Sequence, residues 1–273
     1  MYRNMITVPR ETPKKSYLKE KISSSNKKAT IVISGGCFIV VCLIVVVVTF
    51  VTCNSAVTAE KEGLFVIPSG NIKFNPNQKS TYEEEISSLN QFFIDYYKAD
   101  DTQVITCPLG FEPNATQVCI LPERYLYSCN PENVWNYNTT SPCIILSYNG
   151  KTTTTKFDPY DDIKELPSQM PNLLKDLIKE ERYFYNDTMP GVVWVSCTFG
   201  STWYSYYGPG FPKFFFFNTN LPGYRKPIVA LNLFLCNEIN TTVEITCNMW
   251  AKGIDNEKNP ETSVKFTVTV EKH

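Results

Sequence analysis

The chain has 273 residues but a single histidine, His273. A Ser–His–Asp or Cys–His pair needs an imidazole held rigidly against its nucleophile, and a terminal position is poorly placed to supply one. Cys-x-x-Cys is absent, so neither zinc-ribbon nor thioredoxin-type spacing occurs among the 10 cysteines. Gly208-Pro-Gly210 has no Gly-Lys-Ser/Thr ending and no helical pattern after it, so it is not a phosphate loop. The neighbouring acids Asp161-Asp162 and Glu180-Glu181 read as solvated surface rather than a glycosidase pair. A global charge excess is missing too. The net charge of −1 gives no electrostatic footprint for nucleic acid. No internal repeat is present. These absences argue against an enzyme, a metal site or a cofactor.

The charge that does exist is local. Residues 1–28 hold Arg3, Arg10, Lys14, Lys15, Lys19, Lys21, Lys27 and Lys28 against only Glu11 and Glu20. They have no hydrophobic periodicity and read as a basic tail. Residues 29–53 follow, dense in Val and Ile and free of Asp, Glu, Lys and Arg. About 20 apolar residues at ~1.5 Å each cross a ~30 Å hydrocarbon core, so this stretch predicts a transmembrane helix. A cleaved signal peptide would have a shorter apolar core and a shorter leader. The basic flank predicts a cytosolic N-terminus, with the larger C-terminal part outside the cell.

Seven cysteines lie beyond the apolar run, at 107, 119, 129, 143, 197, 236 and 247. A compartment outside the cytosol allows them to oxidise, and an odd number leaves at least one over. Cys107 with Cys119, and Cys129 with Cys143, would each close a short loop. Cys197 and Cys247 share the apolar faces of their predicted strands. The sequence alone leaves the pairing open. The same region carries four glycosylation sequons, headed by Asn114, Asn138, Asn186 and Asn240, and the predicted cytosolic tail carries none.

Residues 54–80, with Gly63, Pro68, Gly70 and Pro76, read as an extended stalk, and 81–273 as the folded ectodomain. Ser80-x-x-Glu83 fits a capping box, and Ile86, Leu89, Phe92, Phe93, Tyr96 and Tyr97 follow at helical spacing. Pro171 opens a second short helix carrying Leu173, Leu174, Leu177 and Ile178. Period-two alternation marks strands through Val193–Phe199, Val229–Leu235, Val243–Met249 and Val264–Val270, and Cys143–Tyr148 reads as another. An antiparallel sandwich is the predicted architecture. The aromatic stretches Trp203–Tyr207 and Phe211–Phe217 fit core packing and a partner-binding surface equally well.

Several segments together resemble the β subunits of Na⁺/K⁺-transporting P-type ATPases. They are the predicted type II layout, Pro142-Cys143-Ile-Ile-Leu, Leu166-Pro-Ser-Gln-Met-Pro171, Val193-Trp-Val-Ser-Cys197, Tyr206-Tyr-Gly208, Gly210-Phe-Pro-Lys-Phe-Phe-Phe-Phe and Gly223-Tyr-Arg-Lys-Pro-Ile-Val-Ala230. The resemblance implies an immunoglobulin-like β-sandwich ectodomain with short added helices, behind one N-terminal transmembrane helix. It implies bridges Cys107–Cys119, Cys129–Cys143 and Cys197–Cys247. It implies a non-catalytic plasma-membrane subunit that binds the catalytic α subunit, assists its folding and delivery, and tunes transport. The family's tyrosine-rich α contact matches Tyr204, Tyr206, Tyr207 and Gly208. The apolar run departs from the family, because Val and Ile replace most of its aromatic membrane face, leaving Phe38 and Phe50. A rival reading is an adhesion or junction glycoprotein whose ectodomains contact one another. The bilayer is a partner in either reading.

Overall fold

The computed structural model describes residues 62–98, 103–150, 157–184, 191–199, 202–203, 206–207 and 210–272. The predicted helix at 29–53 lies outside them. Among the described residues no helix is long and apolar enough to cross a membrane. In chain order the strands β1 (Gly63–Ile67) and β2 (Asn71–Phe74) precede helix α1 (Glu83–Tyr97). After it come β3 (Val104–Thr106), β4 (Val118–Ile120) and β5 (Cys143–Asn149). Helix α2 (Asn172–Phe184) leads into β6 (Val192–Phe199), β7 (Thr202–Trp203), β8 (Tyr206–Tyr207) and β9 (Phe211–Pro212). The chain finishes with β10 (Ile228–Asn232), β11 (Thr242–Trp250) and β12 (Ser263–Val270).

Two sheets share one core. The first has the order β1-β5-β10-β8, and the second β2-β12-β11-β6-β7, with β9 pairing the start of β6. Val243, Ile245, Cys247 and Met249 of β11 and Val264, Phe266, Val268 and Val270 of β12 are all buried. They join Ile144–Leu146 of β5 and Val229–Leu231 of β10 in the main core. Their alternates on the outer face, such as Glu244 and Lys265, stay exposed. A half-buried antiparallel sheet requires this pattern. Most pairings are antiparallel, but β2 runs parallel to β12, with Asn71 opposite Thr267 and Phe74 opposite Val270.

Three expectations need correction. The segment read as a stalk supplies β1 and β2, one to each sheet, with Leu64, Val66, Ile72 and Phe74 in the core. Pro68 and Gly70 mark the turn between the two strands, while Gly63 opens β1 and Pro76 follows β2. The capping box at Ser80 does not form. Lys79–Thr81 is a 3₁₀ turn, and α1 begins at Glu83 with Tyr82 before it and no side-chain cap. Thr81 is already committed, accepting from Asn75 N at 2.9 Å and donating to Gln78 O at 2.7 Å. Tyr82 turns inward against Phe74 and Tyr137, so burial of that ring sets the start of the helix. Finally, β6 has no solvent face. Val193, Val195 and Cys197 enter the main core, while Val192 and Trp194 pack on the other side with Met170, Leu174 and Ile178 from α2 and its approach. Fully burying Leu174 and Ile178 contributes about 1.5–3 kcal/mol each.

Candidate functional site

Residues 202–203 and 206–207 lie on the edges of the two different sheets. β7 lies on the outer side of β6, with Trp203 opposite Thr198 and Thr202 opposite Phe199. β8 lies on the outer side of β10, with Tyr207 opposite Ala230 and Tyr206 opposite Leu231. Each is the last strand of its sheet. An outer strand has one row of N–H and C=O groups not used by its own sheet, so it is a natural place for another chain to pair. Of the predicted contact residues, Tyr206 and Tyr207 therefore sit on the edge of the four-stranded sheet. Tyr204 and Gly208 lie outside the described residues.

The second aromatic run divides between core and surface. Phe211, Phe214 and Phe215 are buried, while Phe217 is 39% exposed. Gly210 begins the run at φ +128°, and a Cβ there would strike the Val193 carbonyl oxygen. Only glycine allows the chain to pass this close to β6. Tyr148, Phe157 and Phe216 meet edge to face or tilted at 5.3–6.4 Å between ring centres, a geometry that ring quadrupoles favour.

Three bridges are present, joining Cys107 to Cys119, Cys129 to Cys143 and Cys197 to Cys247. The last joins directly opposed residues of β6 and β11. It thus lies within one sheet, whereas the bridge of antibody domains joins the two sheets of the sandwich. Cys236 is exposed and unbridged.

Arg225 was not singled out by sequence reasoning. Its guanidinium donates to Tyr96 O at 3.0 Å, Gly223 O at 2.8 Å and Lys98 O at 3.1 Å. Two of these carbonyls close the C-terminal end of α1, where the helix dipole favours a cation. Lys252 is a second hub outside the sequence reading. Its ammonium pairs with Asp161 and with Glu165, the latter at 3.2 Å. The bond from Lys252 holds the Asp161 carboxyl below its ordinary value. Glu165 is held low first by the Asp161 backbone N–H and then by Lys252. Asp162 caps the turn at Ile163–Glu165. These acids are engaged in ion pairs and caps. Among the described residues no cluster of His, Cys, Asp and Glu has the arrangement of a metal site.

Asn114, Asn138 and Asn240 are exposed, and Asn186 lies outside the described residues. Asn114 Oδ1 accepts from Thr116 N at 3.0 Å and Thr116 Oγ1 at 2.9 Å. Asn240 differs. Its Oδ1 accepts from Lys272 N at 2.9 Å and its Nδ2 donates to Lys272 O at 3.2 Å. Nothing in the triplet itself distinguishes it from the others.

A family model described as sodium / potassium ATPase beta chain matches residues 36–269. Two proteins of Drosophila melanogaster are similar to the chain. Sodium/potassium-transporting ATPase subunit beta-1 is 26% identical over 193 residues, covering 67% of this chain and 59% of that protein. Subunit beta-2 is 26% identical over 201 residues, covering 68% of this chain and 61% of its own length. The chain thus spans less than two thirds of the length of either relative.

Proposed function

Because this chain belongs to the sodium/potassium ATPase beta chain family, we propose that it is the non-catalytic β subunit of a P-type cation-transporting ATPase. In this role it binds the catalytic α subunit, assists its folding and delivery to the plasma membrane, and tunes transport. The observation that carries the reading is the extent of the family match, from residue 36 inside the apolar run through nearly the whole ectodomain. Residues 29–53 then span the bilayer as a signal-anchor helix, with residues 1–28 in the cytosol beside anionic headgroups. The ectodomain presents the β8 edge, with Tyr206 and Tyr207, to the α chain, and aromatic side chains suit the core of such an interface. Tyr204 and Gly208 belong to the same contact. Asn114 and Asn138 carry glycans.

The test is affinity recovery of the full chain from detergent-extracted native membranes, with mass spectrometry of what accompanies it. A P-type ATPase α chain in stoichiometric amount is the expected result. Tyr206→Ala with Tyr207→Ala is expected to reduce that recovery by ~30-fold, the effect of losing about 2 kcal/mol at an interface hot spot. Loss of the α chain under conditions that retain an established α–β pair would defeat the proposal. The rival role, an adhesion glycoprotein with homotypic ectodomain contacts, is favoured by the Val- and Ile-rich apolar run. It requires no multi-span companion.

A further inference from the structure

By sequence, Asn240-Thr241-Thr242 is as good a glycan acceptor as the other sequons. Its surroundings are not equivalent. Asn240 has φ +59°, the left-handed region that asparagine tolerates better than most residues. That turn aims both its backbone and its side chain at the last strand. Its N–H donates to Val270 O at 2.8 Å. Ile239 pairs with Val270 as a parallel bridge. The carboxamide then closes a two-bond ring with the backbone of Lys272, as a neighbouring strand residue would. On the other side, Glu271 N donates to Phe74 O at 2.7 Å. Residues 270–272 are held between β2 and Asn240.

The two-bond ring has a chemical consequence. Lys272 N–H must find Oδ1 and Lys272 O must find Nδ2–H, so the Nδ2 hydrogen in use is the one cis to Oδ1. In N-glycosyl transfer Nδ2 loses a proton and gains a bond to the anomeric carbon of a glycosyl phosphate donor, whose phosphate departs. The product is a secondary amide, planar and trans, with Cβ and the sugar carbon on opposite sides. The sugar carbon then occupies the position cis to Oδ1, where the hydrogen bonded to Lys272 O stood. A glycan and this ring cannot coexist on Asn240. Asn114 is free of the conflict, because both of its side-chain hydrogen bonds fall on Oδ1. Asn138 is exposed and makes no side-chain hydrogen bond among the described residues.

We propose that Asn240 is a side-chain clamp on the C-terminal strand, mutually exclusive with an N-glycan, so that Asn114 and Asn138 are the described sequons modified in the folded chain. The glycan half of this proposal rests on the extracellular placement of the ectodomain proposed above.

The experiment expresses the full chain in cells with an intact secretory pathway and measures occupancy at each sequon by enzymatic deglycosylation in heavy-oxygen water and mass spectrometry. Occupied Asn114 and Asn138 with Asn240 bare is expected. Removal of residues 272 and 273 takes away the clamp's partner and is expected to raise occupancy at Asn240. A bare Asn240 in that shortened chain would overturn the proposal. So would a glycan on Asn240 in folded, full-length protein. Hydrogen exchange of the Lys272 amide supplies a readout independent of glycosylation. It is expected to quicken about tenfold in Asn240→Ala, the equivalent of about 1.4 kcal/mol, and an unchanged rate would refute the clamp. If Asn114 and Asn138 are bare as well, the extracellular placement fails, and the clamp is judged by that exchange rate.

Discussion

Arg225 holds α1 to the loop before β10 through carbonyls more than 100 residues away in sequence. Hydrogen bonds to charged groups contribute more than neutral ones, and those at a helix C-terminus also meet the dipole. Arg225→Ala is expected to cost about 2 kcal/mol, read as a lower urea midpoint with an unchanged denaturant slope. Lysine at this position should recover only part of the loss, because an ammonium cannot reproduce the planar fork that reaches three carbonyls. The Gly223-Tyr-Arg-Lys-Pro segment was conspicuous in the sequence through its family resemblance, but nothing in it pointed to the end of α1. Asn240 was conspicuous for the wrong reason. A three-residue motif reports a possible modification and is silent about what the amide bonds to in the folded chain.

The helices and strands show where local pattern suffices and where it does not. Alternation picks out the buried residues of β12, and of β11 up to Met249, because a solvated sheet has one wet and one dry face; Trp250 breaks the pattern, buried on the other side with Trp194. The same pattern in β6 marks only half of its buried residues. Trp194 and Val192 look like outward positions until α2 covers them. Pairing of β6 with β11 is what brings Cys197 against Cys247 across about 50 residues of chain. Replacing both with alanine removes that cross-link from the unfolded state and is expected to cost about 2–5 kcal/mol. Calorimetry of the oxidised ectodomain and the double variant checks this. Equal melting temperatures would mean the strand pairing alone holds the sheet.

At the scale of the whole molecule, tyrosines are distributed through both apolar clusters, and burial sets their acidity. Tyr148 in the main core is pushed from 10.0 to about 12, first by burial and then by Glu261 and Glu62. Tyr160 in the cluster under α2 is likewise pushed up to about 12, by burial and then Glu165. In both cases the folded protein keeps a proton that the unfolded chain releases near pH 10. The stability linked to this difference is fully present below pH 10 and is lost as pH rises from 10 towards 12. A urea midpoint that falls over that window is expected, with phenolate absorbance appearing together with unfolding. Absorbance that appears near pH 10 in the folded state, with no change in midpoint, would contradict the burial argument.

Taken alone, the sequence was sufficient for the mainly β class, the two helices, the faces of the later strands and the family. Each of these depends on local periodicity or on short motifs that do not need to know their neighbours. Tertiary structure decided which strands are adjacent, that the segment at 63–74 joins both sheets, that Tyr82 delays α1, and that the Tyr206–Tyr207 edge lies beside β10. It also decided the partners of Arg225 and Asn240. The physical reason is common to all of them. A period of two specifies which side of a strand is dry, but pairing, bridging and clamping are contacts between residues tens to hundreds apart, chosen by the packing of the core as a whole.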